Sequence, residues 1–199
     1  MSATDVVIVD SGGANLASLR FALERLGAGS RLSADPEVIA AAPRVLLPGV
    51  GAAADAMARL RAAGLLARLR ALTQPLLGIC LGMQILYTHT DEGDTPGLDL
   101  VAGTVRRIPP ARGRPVPHMG WNTCHPLHAD ALLAGIKADE YFYFVHSYAC
   151  PVSAATSATT DYGLPMAAVV ARGNFHGVQF HPERSGPAGA RVLRNFLEL

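Results

Sequence analysis

The first half of the chain alternates short apolar runs with amphipathic segments. Residues 5–10 form a β-branched run, and a segment opening at Asn15 then places four leucines on one helical face before Gly27. Residues 44–47 lead through a glycine loop into an Ala-, Leu- and Arg-rich helix to about Leu72, and residues 76–79 lead into a helix starting near Leu81. This alternation predicts a parallel sheet covered by helices.

The second half changes to shorter strand-like runs separated by Pro and Gly, at residues 98–108, 141–148, 166–171 and 175–180. Such runs favour antiparallel pairing, and residues 193–199 are typical of a closing helix. The predicted fold is therefore α/β, a central, mostly parallel sheet flanked by helices with a smaller antiparallel part. With no repeat or linker, residues 1–199 are expected to form one domain.

Composition narrows the classes of function. Half of the 199 residues are hydrophobic, 17% are charged and the formal net charge is +1, a globular balance with no clustered basic stripe for nucleic acid. No apolar run reaches the roughly 20 residues of a membrane span, and the start resembles no leader, so a cytoplasmic location is expected. Cys80, Cys124 and Cys150 are odd in number and widely spaced, which favours reduced thiols.

Cys80 has the sequence context of a nucleophile. Residues 78–82 read G-I-C-L-G at the end of an apolar strand and the start of a helix, as in a nucleophile elbow. A helix N-terminus favours the thiolate, and the N–H of Leu81 is placed to stabilise an oxyanion. Cys124 and Cys150 lack these flanks and are interpreted as small buried hydrophobic residues.

The residues F-H-P-E at 180–183 supply a base for this cysteine. Residues two apart in an extended chain point to one face, so Glu183 can orient and polarise His181. Alone, the motif is weak because many histidines and glutamates are surface residues. Together with the elbow it indicates a Cys-His-Glu triad.

Two other motifs suggest different chemistry. Residues 49–54 match the G-x-G-x-x-G/A pattern of dinucleotide-binding loops, but no Asp or Glu follows at the distance that would hold a ribose. We therefore interpret Gly49, Val50 and Gly51 as oxyanion donors. His118, Cys124, His125 and His128 could be taken for a zinc cluster, but the spacing lacks a second pair of ligands, so no metal or cofactor is expected.

The glycine loop at 48–51, the run G-I-C-L-G-M-Q at 78–84 and H-P-E at 181–183 together resemble the class I (triad) glutamine amidotransferases over nearly the whole chain. This resemblance implies a flavodoxin-like fold and hydrolysis of glutamine through a thioester on Cys80, with His181 moving protons and Glu183 orienting it. It also implies a glutamine pocket lined by Gln84, Ser147 and Tyr148.

Within that family, residues 10–16, 117–122 and 143–148 are similar to the glutaminase subunits of imidazole glycerol phosphate synthases. Ser11 and Ala14 depart from the usual pattern of the opening loop. The resemblance implies a (β/α)₈-barrel cyclase as partner. It also implies that the interface with this partner contains Asn15, Met119, Trp121, Asn122 and Arg184.

Ordinary core packing is an equal alternative for Met119 and Trp121, since both residue types are common in cores and in interfaces. A second hypothesis within the family is that the chain is the glutaminase component of anthranilate or para-aminobenzoate synthesis. Those components are not expected to carry the 118–122 stretch. A non-catalytic scaffold subunit is an alternative from another class, which the intact triad disfavours.

Overall fold

The structure, a computed structural model, describes residues 6–10 and 16–199. The helices are α1 (Leu16–Arg25), α2 (Pro36–Ala40), α3 (Ala53–Ala62), α4 (Leu65–Arg70), α5 (Leu81–Gln84) and α6 (Gly186–Glu198). The strands of the first half are β1 (Val6–Val9), β2 (Ser30–Ser33), β3 (Val45–Gly49), β4 (Leu76–Cys80), β5 (Tyr87–Thr90), β6 (Thr95–Pro96) and β7 (Val101–Arg107). Those of the second half are β8 (His118–Thr123), β9 (His125–Pro126), β10 (Tyr141–His146), β11 (Tyr148–Ala149), β12 (Thr156–Asp161), β13 (Pro165–Arg172) and β14 (Phe175–Val178).

The main sheet has the strand order β2-β1-β3-β4-β14-β13-β12-β9. The first five strands in this order are parallel, and the last three add antiparallel pairs. Strands β8 and β10 form an antiparallel pair, and β11, β7, β5 and β6 form a small mixed sheet. The prediction of a mostly parallel sheet flanked by helices, with a smaller antiparallel part, is confirmed.

Apolar side chains fill both faces of the parallel strands. Val7, Val9 and Leu47 lie in a cluster with α3 and α4, whereas Ile8 and Leu46 lie in a second cluster with α1 and α6. Successive strand residues point to opposite faces, so an uninterrupted apolar run is what a sheet covered on both sides requires. The rigid sheet that results is the support for the site at its edge.

The single helix predicted to run to about Leu72 is two helices, α3 and α4. Gly64 separates them with a φ of +69°, a left-handed conformation that breaks the helical path. The break lets Leu60 of α3 and Leu65 and Leu69 of α4 all reach the core. The sequence pattern missed it because apolar residues continue on both sides of the glycine.

The strand predicted over residues 141–148 is also interrupted. β10 ends at His146 and pairs with β8, while β11 begins at Tyr148 and pairs with β7 of another sheet. The strand near residue 175 joins the two parts of the main sheet, since β14 runs parallel to β4 on one side and antiparallel to β13 on the other. Among the described residues, no helix has the length and apolar character needed to cross a bilayer.

Candidate active site

Cys80 lies where β4 passes into α5, with φ 55° and ψ −110°. A positive φ is costly for a residue with a side chain, and it is typical of the sharp strand-to-helix turn that projects a nucleophile. The turn is tight because a Cβ on Gly82 would stand 1.7 Å from the carbonyl oxygen of Leu47. Glycine at this position thus allows α5 to lie directly against β3.

His181 and Glu183 follow β14, the parallel neighbour of β4, so both segments reach the same edge of the sheet. The Nδ1 atom of His181 lies 2.9 Å from Oε1 of Glu183, and both side chains are more than 90% buried. The other ring nitrogen, Nε2, is buried and has no hydrogen-bond partner in the described part of the chain. Nε2 is therefore the ring nitrogen that can interact with the sulfur of Cys80.

The charge state of His181 follows from its neighbours. Burial lowers the pKa of His181, but interactions with the Cys80 and Glu183 side chains outweigh burial and raise it to about 10. An imidazolium at neutral pH stabilises a thiolate beside it. The arrangement therefore places a positively charged imidazole, held by the Glu183 carboxylate, beside the Cys80 sulfur.

Ser185, which the sequence reasoning missed, fixes the position of His181. Its Oγ donates to the His181 carbonyl oxygen at 2.7 Å and accepts from the Tyr143 N–H at 2.9 Å. The His181 N–H in turn donates to the carbonyl of Tyr143 at 2.9 Å. A serine two positions after a motif gives no sequence signal, because its role depends on β10 lying alongside.

The residues predicted as oxyanion donors surround Cys80. Gly49 is the register partner of Cys80 on β3, and Leu81 is the first residue of α5. Val50, Gly51 and Leu81 line a cleft of about 380 Å³ together with Cys80. Gly51 has a φ of +91°, so its conformation depends on the absence of a side chain.

The residues predicted for glutamine binding, Gln84, Ser147 and Tyr148, line the same cleft. Ser147 reaches it because it lies at the crossing from β10 to β11. Glu92 also lines the cleft, and its Oε2 accepts the N–H of Ala53 at 2.9 Å. The sequence reasoning missed Glu92, which stands in a polar turn between β5 and β6 without a motif.

A pair of buried histidines lies behind the cleft. Nδ1 of His118 is 3.0 Å from Nε2 of His146, whose Nδ1 is 2.7 Å from the carbonyl oxygen of Tyr148. Burial lowers the pKa of both histidines to about 4, and the charge on His181 adds to the effect at His146. Both rings are therefore neutral at physiological pH.

The residues predicted for the partner interface fall in two groups. Met119 and Trp121 are 65% and 56% exposed on one face of β8, and the Arg184 guanidinium lies 4.5 Å from the centre of the Tyr143 ring. Asn122 lies on the opposite face, where its Nδ2 donates to the Asp161 carbonyl at 2.8 Å. Asn15 is outside the described residues.

The other cysteines are in different surroundings. Cys124 and Cys150 are buried, and burial raises the pKa of both thiols. His125 and His128 are exposed near Cys124. Among the described residues, no group of three or more His, Cys, Asp or Glu side chains is placed to hold a metal ion.

Comparison with known proteins gives a family match over residues 7–199, to the family described as glutamine amidotransferase class-I. The imidazole glycerol phosphate synthase subunit HisH of Xanthomonas axonopodis pv. citri is 56% identical over 196 residues, which cover 98% of each chain. The subunit of the same name from Xylella fastidiosa strain Temecula1 is 53% identical over 98% of each chain.

Solved structures share the fold at low sequence identity. The structure of PurLQS from Thermotoga maritima superposes with a TM-score of 0.71 at 17% identity, covering 98% of this chain and 97% of that one. The glutaminase domain of Trypanosoma brucei CTPS gives a TM-score of 0.64 at 14% identity, covering 98% and 94%. Each likeness covers 98% of this chain, so the shared fold extends over nearly all of it.

Proposed function

The chain belongs to the class I glutamine amidotransferase family and, within it, to the HisH subunits of imidazole glycerol phosphate synthase; we propose that Cys80, His181 and Glu183 are its catalytic triad. Its function is that of the glutaminase subunit of this enzyme in histidine biosynthesis. The observation that carries the assignment of residues is the meeting of a strained cysteine with a buried histidine–glutamate pair at one edge of the sheet.

In the first step, the Cys80 thiolate attacks the side-chain carboxamide carbon of glutamine, and a C–S bond forms. The imidazolium of His181 then gives its proton to the amide nitrogen, so that the C–N bond breaks and ammonia leaves. Glu183 holds the ring in the orientation that points Nε2 at the reacting atoms. The product on the enzyme is a γ-glutamyl thioester.

The tetrahedral oxyanion is stabilised by N–H groups of Leu81 and of the loop Gly49-Val50-Gly51. The first N–H groups of a helix have no partner within the helix, and α5 begins at Leu81. The loop glycines allow a peptide to turn so that an N–H faces the oxyanion. Neutral His181 then takes a proton from a water molecule whose oxygen attacks the thioester carbon. The C–S bond breaks, glutamate leaves, and the Cys80 thiolate is restored beside the His181 imidazolium.

We propose that Gln84, Ser147 and Tyr148 hold the glutamine, with Glu92 as a further contact. A glutamine substrate carries an ammonium group, and Glu92 and Glu183 are the carboxylates in the described cleft lining. Glu183 is bound to His181, which leaves Glu92 to face the ammonium. The bond from the Ala53 N–H fixes the Glu92 carboxylate in place.

The names of the relatives imply a complex with a partner subunit. We propose that this partner is a (β/α)₈-barrel cyclase, which uses the ammonia to make imidazole glycerol phosphate and an aminoimidazole nucleotide. Ammonia in neutral water is mostly protonated, so it must travel by a sheltered path. Met119, Trp121 and Arg184 are the proposed contacts at its mouth, with Asn15 and Asn122 as the remaining proposed members.

We also propose that residues 1–199 are a single domain and that the protein works in the cytoplasm. The matching family spans residues 7–199, and both core clusters draw residues from the two halves of the chain. The three cysteines are free thiols, which is the state that a reducing compartment maintains.

The test is glutamate release from glutamine, measured with the partner subunit and its nucleotide present. Cys80→Ala should lose the activity by more than about a thousandfold, because the nucleophile is removed. Cys124→Ala, which removes another buried thiol, should keep it. A Cys80→Ala protein that releases glutamate at the wild-type rate would overturn the assignment.

A further inference from the structure

Gln179 is a wholly buried polar side chain that lies beside Cys80. It follows Val178, the register partner of Ile79, and its backbone N–H donates to the carbonyl of Ala168 at 2.9 Å. Its Nε2 lies 3.8 Å from the sulfur of Cys80. A buried amide is costly unless it is paired, so its partners indicate what it does.

The direction of the Gln179 amide follows from a chain of donors and acceptors. The carbonyl oxygen of Tyr148 can only accept, and Gln84 lies 2.9 Å from it, so Gln84 must present its amide N–H₂ there. The same nitrogen of Gln84 is 3.0 Å from Gln179, which must then offer its carbonyl oxygen Oε1. The N–H₂ group of Gln179 is thereby left on the side of the Cys80 sulfur.

The same Tyr148 carbonyl also fixes the histidine pair. It accepts from Nδ1–H of His146, which leaves Nε2 of His146 to accept from His118. The two glutamine amides on one side of this carbonyl and the two histidine rings on the other therefore fit a single assignment of donors and acceptors. Reversing any one amide or ring in this hydrogen-bond network would place two donors or two acceptors face to face.

We propose that Gln179 is a positioning residue that directs an amide N–H at the Cys80 sulfur to favour the thiolate, and that its carbonyl oxygen holds the Gln84 amide. The proposal rests on the proposed role of Cys80 as the nucleophile. With both of its N–H bonds occupied, Gln84 offers its own carbonyl oxygen to a ligand in the cleft. Gln179 therefore acts on the nucleophile and on the substrate pocket together.

Other titratable groups face Cys80 from the segments packed around it. They are His181 and Glu183 after β14, His146 at the end of β10, Cys150 after β11, and Glu92 and Arg184 in the cleft lining. His181 supplies the positive charge. Burial keeps His146 neutral and raises the pKa of the Cys150 thiol, so neither opposes the negative sulfur with a charge of its own.

The experiment measures how fast iodoacetamide alkylates Cys80 as a function of pH, in Gln179→Met and in the wild type. Methionine keeps the length of the side chain and removes the N–H donor. A hydrogen bond to a charged group is worth about 1.5 kcal/mol or more, so the midpoint of the profile should rise by about one unit. The KM for glutamine should rise as well, since Gln84 loses its partner.

The matched control is Gln74→Met. Gln74 is a second glutamine with a paired amide, although it is only partly buried. Its Nε2 donates to the carbonyls of Ile39 and Ala40 near the opposite end of β4. This variant should lose some stability and keep the alkylation profile. An unchanged profile in folded Gln179→Met would overturn the proposal, even if turnover fell.

A second measurement covers the case in which Gln179→Met does not fold. In the wild type, the NMR signals of the Gln179 side-chain amide should shift as Cys80 is titrated, and the shift should vanish in Cys80→Ser over the same pH range. If the signals of the Gln179 amide did not shift as Cys80 is titrated in the wild type, the proposal would be overturned. Alkylation and NMR both report on Cys80 without glutamine, so their outcome is separate from that of the glutaminase assay.

Discussion

At the scale of single residues, the chemistry depends on conformations that residue type alone does not reveal. All three cysteines are buried, yet Cys80 alone among them has a positive φ, at the start of a helix. The flanking glycines at 78 and 82 carried that information in the sequence, because both pack against backbone where a Cβ would overlap. Gln179 and Ser185 carried no such signal, since their partners come from distant segments.

The histidine pair predicts how stability changes with pH. His118 and His146 titrate near 6.5 when unfolded and about 4 when folded, so the unfolded chain binds more protons between these values. Their contribution is complete above pH 6.5 and is lost as the pH falls through about 4. The free energy of unfolding in urea should be lower at pH 5 than at pH 7.5 by on the order of 4 kcal/mol from this pair, about 2 kcal/mol from each histidine.

The comparison is a double variant, His118→Gln with His146→Gln, which keeps donors and acceptors but does not titrate. Its free energy of unfolding should depend less on pH than that of the wild type. His128→Gln changes an exposed histidine and should leave the dependence as it was. If the double variant were as sensitive to acid as the wild type, the buried pair would not be the cause.

At the scale of elements, the site is built where three parallel strands end. Apolar runs identified β3, β4 and β14 in the sequence because each is covered on both faces. The pattern missed β2, with sequence SRLS, because no residue in it is fully buried. It also missed β12, whose buried Thr and Ser residues look polar in sequence. The order of the strands in the sheet could not be predicted from the sequence, because β14 pairs with β4, which lies about 100 residues earlier in the chain.

The close approach of α5 to β3 gives a prediction for the elbow. Gly82→Ala would place a methyl group 1.7 Å from a backbone oxygen, so α5 must move and the free energy of unfolding should fall by more than about 3 kcal/mol. Gly64→Ala is the control, because it meets no atom within 4 Å and adds only left-handed strain of about 1 kcal/mol. Equal losses of unfolding free energy in Gly82→Ala and Gly64→Ala, measured by thermal or urea unfolding, would contradict a steric origin.

At the scale of the whole molecule, the exposed face of the β8–β10 pair lies beside the candidate active-site cleft. Trp121 and Tyr143 are register partners on this face, and Tyr141 is 57% exposed on it. The Arg184 guanidinium over Tyr143 also lines the cleft. A partner seated here would therefore cover the cleft mouth, which a sheltered path for ammonia requires. Large aromatic side chains are also the residues on which binding energy concentrates.

Trp121→Ala should accordingly weaken the complex with the partner subunit by at least about thirtyfold, the effect of about 2 kcal/mol at an interface hot spot. The matched control is Leu127→Ala, since Leu127 is 54% exposed but follows β9, an edge strand of the main sheet, and is not part of the β8–β10 pair. Titration calorimetry gives the two dissociation constants, and thermal unfolding of each isolated variant confirms that it is folded. Glutamate release at saturating partner should then recover in Trp121→Ala, because the proposed triad is untouched and only the affinity has changed. Equal affinities for the two variants would move the interface to another face of the molecule. A loss of stimulated release that persists at saturation would mean instead that Trp121 acts on the cleft itself.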